Sequence, residues 1–518
     1  MEALELANAG WLSILPPLIA IILALLTKEV ISSLIVGIVT GAFIYSGGNV
    51  ILTIENTFRI MAERMGEENN VNILIFLGLL GTIVILVTKA GGASAYGNWA
   101  ANKIKTRKGA SLATSALGAI IFIDDYFNCL TVGTVMRPVT DKHRISRAKL
   151  AYLLDAMAAP ICIIAPISSW GASIASYMED ATHQNGMTIF IQTIPYNLYA
   201  LLTIIMVFIV CSTRLNFGPM KAFEKKAIEQ GDISSEVSKE LDDSIVVSEH
   251  GKVYDLIIPI LSLICFTIVA MIYTGGGFSG EVSPMEAFGS CNASLSLVMG
   301  SFLALIVTFF LYLPRKIITF EDFTGSVSEG IKSMVPAFTF LILAWTIGGI
   351  CSEAYLNTGG FIGNLVKESN FPMFILPVII FFVAAFLGFA TGTSWGTMAI
   401  LVPVGASISS ADATGSLLIP VMGAVLAGAV FGDHISPISD TTILSSTGAG
   451  CNHIDHVSTQ LVYATVVAVC CAIGYLLMGI TTHYLIPLVV SIVCLLVILW
   501  VIYVISNKKD PIDFGDRK

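Results

Sequence analysis

The sequence predicts an all-α, polytopic integral membrane protein built from two inverted repeats with broken helices and re-entrant hairpins. Three observations predict it. Apolar runs recur from end to end, polar helix breakers interrupt four of them, and the two halves carry the same short motifs in the same order. Of 518 residues, 55% are hydrophobic and 12% charged, with a mean hydropathy of +0.83. About 20 apolar helical residues cross roughly 30 Å of hydrocarbon, so lipid is the implied solvent and no separate soluble domain fits between the runs. A formal net charge of −9 without a basic stripe excludes a nucleic-acid role.

The first run, Trp11 to Thr27, follows Glu2 and Glu5 with no basic residue before it, so residues 1–29 read as a retained span rather than a secretory leader. Residues 30–213 make the first repeat, with apolar stretches centred on 30–46, 72–88, 110–123, 149–170 and 197–213. Residues 253–292 hold a connecting span and an outer loop. Residues 293–480 make the second repeat, with stretches at 293–313, 334–350, 372–390, 395–409, 417–434 and 459–480, and 481–518 form a last span and tail. The ten cysteines fall mostly inside apolar stretches, where cysteine behaves as a small hydrophobe.

Basic residues gather at Lys103–Lys108, at Arg137–Lys149 and at Arg214–Lys226, which assigns those loops to the cytoplasm. Ser173 to Tyr196 and Thr274 to Asn292 carry acids without Lys or Arg and face outward. The first terminus then lies outside, Lys508 and Lys509 lie inside, and residues 110–137 must return to the side they left. Residues 214–252 carry eight acids against six bases with no long apolar run, and read as a solvated cytoplasmic linker.

Lys89-Ala90-Gly91-Gly92 running to Gly97-Asn98 matches Asn357-Thr358-Gly359-Gly360 running to Gly363-Asn364. Gly133-Thr134 with Pro138-Val139 resembles Gly396-Thr397 with Pro403-Val404, and Ala165-Pro166-Ile167-Ser168-Ser169 matches Ser436-Pro437-Ile438-Ser439-Asp440. The displacements of about 263 to 271 residues mark an internal repeat. Amphipathic segments around Thr53–Met65 and Thr319–Met334 precede equivalent spans, as interfacial helices do. Opposite charge bias around the two makes the repeats inverted, which sets a substrate site between them near the midplane.

Irregular backbone at membrane depth is tolerated only where protein or a wet cavity supplies partners. Four stretches require this: 124–128, 159–170, 391–397 and 432–442. They supply the candidate substrate and ion ligands Asp124, Asp125, Asn128, Ser168 and Ser169 from the first repeat, and Thr391, Thr393, Ser394, Asp433, Ser436, Ser439, Asp440, Thr441 and Thr442 from the second. Sodium is a hard cation that takes oxygen ligands, and Asp433, Ser436, Asp440 and Thr441 are its leading set. A carboxylate in mid-span costs about 2.5–3.5 kcal/mol. The competing explanation for Asp124, Asp125 and Asp433 is capping of broken helix ends or bonding to Ser and Thr on neighbouring helices. Asp433, His434 and Asp155 are the proton-coupling candidates, because desolvation favours protonation of a carboxylate and a bound cation opposes it. Structural alternatives are a hydrogen bond for His434 and, for Asp155, pairing with Lys149 or snorkelling toward the interface. Cys451-Asn452-His453-Ile454-Asp455-His456 is a poor transition-metal motif, with one cluster and no second ligand pair. No nucleophile–base pair or nucleotide-binding motif points to an enzyme or a pump.

At Phe122-Ile123-Asp124-Asp125-Tyr126-Phe127-Asn128, Thr391-Gly392-Thr393-Ser394-Trp395-Gly396-Thr397 and Gly432-Asp433-His434-Ile435-Ser436-Pro437-Ile438-Ser439-Asp440-Thr441-Thr442 the chain resembles the NhaC family of Na⁺/H⁺ antiporters. The likeness extends over roughly residues 70–480. It implies sodium coupling more strongly than cargo, since members of the wider family also handle amino acids or exchange malate for lactate. The leading expectation is a Na⁺/H⁺ antiporter of a bacterial inner membrane, with Na⁺ as coupling ion and no cofactor. The rival is a sodium-coupled amino-acid or small-carboxylate carrier, whose pocket Trp170, Trp395 and Asn128 would suit. Assembly as a homodimer is left open.

Overall fold

The computed structural model describes residues 9–27, 29–213, 215–233, 248, 250–279, 287, 291–352, 354–358, 361, 372–410, 412, 414–437 and 439–509. Gly359, Gly360, Gly363 and Asn364 of the first internal match, most of the linker after residue 233, and Glu281 and Glu286 of the outer loop lie outside them.

Every described regular element is helical. α1 (Leu15–Thr27) precedes the first repeat, which comprises α2 (Val30–Tyr45), α3 (Val50–Met65), α4 (Glu68–Lys89), α5 (Gly92–Lys103), α6 (Arg107–Ile120), α7 (Asp125–Lys142), α8 (Arg147–Cys162), α9 (Ser169–Thr182), α10 (Gly186–Thr193) and α11 (Leu198–Ser212). After α12 (Gly218–Glu229) and α13 (Tyr254–Thr274), the second half adds α14 (Ala293–Tyr312), α15 (Phe320–Ser333), α16 (Val335–Cys351), α17 (Leu376–Thr391), α18 (Ser394–Ser409), α19 (Leu418–Ile435), α20 (Asp440–Ala449), α21 (His453–Thr481) and α22 (Leu485–Lys509). Seven described helices are long and apolar enough to cross a membrane, or up to nine if each of two bent pairs counts as one span.

The repeat is visible in where helices begin. The second copy starts 269 residues after the first at α6 and α17 (107 to 376) and at α7 and α18 (125 to 394). It starts 271 residues later at α8 and α19 (147 to 418) and at α9 and α20 (169 to 440). Asp125 therefore stands opposite Ser394, and the pairing of Gly133 with Gly396 is several residues out of register. The amphipathic helix α3 ends beside the start of α4, whereas α15 packs along the second half of α4, with Gly330 against Gly81. Arg64 at the end of α3 pairs with Asp180 at 3.3 Å, whereas Lys89 at the far end of α4 pairs with Glu329 of α15 at 2.9 Å. The second repeat is thus inverted, and α3 turns 120° from α2.

Side chains at the breaks bond backbone groups that the breaks expose. Asn128 donates to Gly118 O and Ile121 O (2.7 and 2.8 Å), closing the carbonyl end of α6. Ser168 donates to Cys162 O or Ala165 O (both 2.8 Å) while accepting from Gly171 N (2.8 Å). Thr393 and Ser439 cap α18 and α20 in the same way, through Gly396 N and Thr442 N. The α17–α18 turn needs Gly392, whose φ of +66° is the left-handed region. Such a cap contributes about 1 kcal/mol in water, and an orphan backbone group in hydrocarbon costs several. The hairpin α6–α7 leaves and returns at the end of the molecule that carries the basic loops, where Arg107 donates to Arg144 O. Where Ser173 to Tyr196 reads as a loop in the sequence, the structure has the rest of α9 and all of α10, because small residues and caps at Ser168 and Asn185 support helix there.

Candidate functional site: a crossing of four helix starts

Among the described helices, α7, α9, α18 and α20 begin at the interior breaks. The tip of each hairpin packs on the broken span of the other repeat, α7 on α20 and α9 on α18. At the first contact Gly133 and Gly448 let backbones meet, since a Cβ on Gly133 would lie 2.5 Å from Gly448 C. Helix starts carry partial positive charge, which makes this crossing hospitable to carboxylates.

Three polar groupings occupy it. In the first, Asp124 Oδ2 accepts from Ser169 Oγ at 3.0 Å, Ile123 O accepts from Ser169 N at 2.9 Å, and Asp125 Oδ1 accepts from Trp170 Nε1 at 2.9 Å. In the second, Asp433 Oδ2 accepts from Ser394 Oγ at 2.7 Å and from Ser394 N at 3.3 Å. The Trp170 and Trp395 rings meet at 5.2 Å between their centroids and join these two groups across the repeats. The capping role that the sequence allows for Asp433 is therefore realised at the start of α18. Capping does not exhaust a carboxylate, which has two oxygens and about four acceptor positions.

The third grouping surrounds Asp155 of α8. Its Oδ2 accepts from Thr442 Oγ1 at 3.1 Å and from Gln460 Nε2, and lies 3.3 Å from His456 Nε2. Its Oδ1 is 3.9 Å from His434 Nε2, and His434 Nδ1 is 3.0 Å from Tyr199 OH. Gln460 also donates to His434 O at 2.8 Å. Asp155, His434, His456 and Gln460 are at most 1% exposed. Asp155 Oδ1, His434 Nε2, His456 Nδ1 and Gln460 Oε1 make no hydrogen bond. Buried polar atoms left this way are rare and call for a reason.

The alternative pairing of Asp155 with Lys149 is not what forms. Lys149 turns instead to Asn216 Oδ1 (3.1 Å) and Glu224 Oε2 (3.2 Å). Among the other candidates, Asn128 and Ser168 serve the breaks, and Thr391 bonds Leu387 O. Thr441 faces Ser439 Oγ at 3.0 Å. Ser436 is buried, and the side chain of Asp440 lies outside the described residues. Sequence reading missed Tyr199, His456 and Gln460. The last two sit one turn apart in the polar stretch 453–460 that opens α21, where polar side chains raise no local alarm. In the Cys451–His456 stretch, His453 Nε2 approaches Pro437 O (2.7 Å) while His456 joins Asp155, so the two imidazoles diverge.

Two clefts open at the end opposite the basic loops. One of about 480 Å³ is lined by Arg64, Asn70, Ser176, Glu179 and Asp180 and descends along α9 to Ala172, two residues from Trp170. The other, about 700 Å³, shares Asp180, His183 and Gln184 with it and runs between α16 and α18. The first cleft ends at Ala172, and Trp170 and Trp395 lie buried beyond it.

Comparison with known proteins places this arrangement. An uncharacterised protein of Haemophilus influenzae is 40% identical over 516 residues, covering 97% of both chains. A malate-2H⁺/Na⁺-lactate antiporter of Bacillus subtilis is 30% identical over 206 residues, 35% of this chain and 42% of that one. Among solved structures, the Alcanivorax borkumensis YdaH transporter aligns with a TM-score of 0.52 at 12% identity, covering 86% of this chain and 89% of that one, a likeness of fold. The Na⁺/H⁺ antiporter family profile matches residues 161–480, a stretch that includes Ser169, Ser394, Asp433, His434, Thr442, His456 and Gln460. With the broken helices of both repeats inside or beside that match, the chain belongs to the Na⁺/H⁺ antiporter family.

Proposed function

We propose that this transporter exchanges Na⁺ for H⁺ across a bacterial inner membrane. The observation that carries the reading is the burial of four carboxylates at one crossing, Asp124 (6% exposed), Asp125 (1%), Asp155 (0%) and Asp433 (1%). Their partners there include hydroxyl, indole, amide and imidazole groups. Such groups let a carboxylate accept a proton or a small hard cation in turn, because a cation lowers and desolvation raises its affinity for protons. Sodium would be held by Asp433 with oxygens of the α18 and α20 starts, where Ser394, Ser436, Asp440 and Thr441 are the nearest candidates in sequence. Asp124 and Asp125 would hold the equivalent position on the first repeat. Asp155 with His456 and His434 would form the proton-carrying pole, since an imidazole can take up or give a proton at either ring nitrogen. Everted membrane vesicles from cells lacking other antiporters test this. Added Na⁺ should dissipate a respiration-generated pH gradient, and intact gradients at every Na⁺ concentration would refute it.

A second reading, sodium-coupled transport of an amino acid or small carboxylate, is favoured by two observations. One relative is named for malate and lactate exchange, and the outer cleft of about 480 Å³ has room for an organic solute. Trp170 and Trp395 would then be its floor.

A further inference from the structure

The segment 215–229 is built differently from a connecting loop. Its helix α12 turns Met220, Glu224 and Ala227 inward, and Glu224 is fully buried. The carboxylate meets Arg107, Lys149 Nζ at 3.2 Å and Ser146 N at 2.9 Å, so one acid on α12 holds the starts of α6 and α8. Burial pushes this carboxyl up, but Lys149 and Arg107 outweigh burial and hold it below its ordinary value. The reading of this stretch as wholly solvated is thus corrected for its described part.

Phe217, just ahead of α12, stacks on Tyr463 with centroids 4.0 Å apart, and its N–H donates to the Tyr463 hydroxyl at 3.2 Å. Tyr463 meets Tyr152 at 4.9 Å. Tyr152 and Tyr463 lie three residues from Asp155 and Gln460 on their own helices, close to one turn. Phe217, Tyr463 and Tyr152 therefore form a row of rings between the α12 segment and the helix turns that carry Asp155 and Gln460. The clefts open at the opposite end. A buried ion pair is a weak source of net stability because desolvation offsets its attraction. For the same reason it parts at small net cost when water returns, whereas an all-apolar dock would not.

We propose that residues 215–229 are the cytoplasmic seal over the Asp155 group, and that they undock in each transport cycle. This rests on the chain being an alternating-access transporter and not on its cargo. Gly218 lies against Val462, and a Cβ built on it is 3.3 Å from Val462 Cβ, close to the roughly 3.5–4.5 Å separation that a disulfide spans. In a cysteine-free background, Gly218→Cys with Val462→Cys should cross-link on oxidation, cut transport at least tenfold and recover with reductant. Fully cross-linked protein that transports at the reduced rate overturns the proposal. Gly218 has a φ of +57°, so a second arm uses Glu224→Gln with Val462→Cys as the single cysteine. Labelling of that cysteine by a membrane-impermeant maleimide from the cytoplasmic face should rise severalfold over the Glu224 protein. Equal labelling overturns the seal, whatever the cargo proves to be.

Discussion

Replacing Asp433 with Asn separates a cation ligand from a helix cap. Asn keeps an acceptor for Ser394 Oγ and N, now 2.7 and 3.3 Å from Asp433 Oδ2. The change exchanges a charge-assisted bond of about 1.5–3 kcal/mol for a neutral one of about 0.5–1.5, so stability should fall by about 1 kcal/mol. The loss to a bound cation is larger. A unit charge about 4 Å away at an effective dielectric near 20 contributes about 4 kcal/mol, and every 1.4 kcal/mol is tenfold in affinity. Sodium activation should therefore weaken by roughly a thousandfold by these two rules, with the protein still monodisperse in detergent. Ser394→Ala is the counterpart, since it strips a cap partner and keeps the carboxylate, and should shift sodium activation less than tenfold. Sodium-dependent proton flux in reconstituted vesicles measures both. Equal sodium activation in wild type and Asp433→Asn would refute the reasoning and leave Asp433 a cap alone.

Asp155→Asn should abolish proton exchange while sodium still protects the protein from heat, and exchange at the wild-type rate would remove Asp155 from the proton path. Gly133→Ala should overpack the α7–α20 contact, where the added carbon would lie 2.5 Å from Gly448 C. The cost is about 1–3 kcal/mol, seen as a lower thermal midpoint, and an unchanged midpoint contradicts the contact. For topology, a single cysteine at Asp232 should react with impermeant reagent only from the cytoplasm and one at Gln184 only from outside. Any reversal sinks the orientation.

The repeats, their inversion and the four breaks were legible because each is a local departure from apolar helix. Gly392 and the capping Ser168, Thr393 and Ser439 announce their own turns, and the segment Thr53–Met65 became α3 within a few residues. Register was less legible. Gly-Thr and Pro-Val recur too often in apolar helices to fix it, and only helix starts reveal that Asp125 stands opposite Ser394. The Asp155 group was hidden because its partners His456 and Gln460 lie 301 and 305 residues away, and no local pattern encodes that approach. Glu224 misled for the same reason. A charged residue in a charged stretch looks solvated until Arg107 and Lys149 arrive from distant helices to compensate it.

The most direct test of sodium–proton exchange is purified protein in proteoliposomes with a pH-sensitive dye inside, an inward sodium gradient and no organic solute. Exchange predicts that the lumen turns alkaline as sodium enters and protons leave, that the signal vanishes when potassium replaces sodium, and that Asp433→Asn loses it. A lumen whose pH stays fixed under the sodium gradient until an amino acid or hydroxy acid is added would contradict it and assign the cycle to an organic cargo.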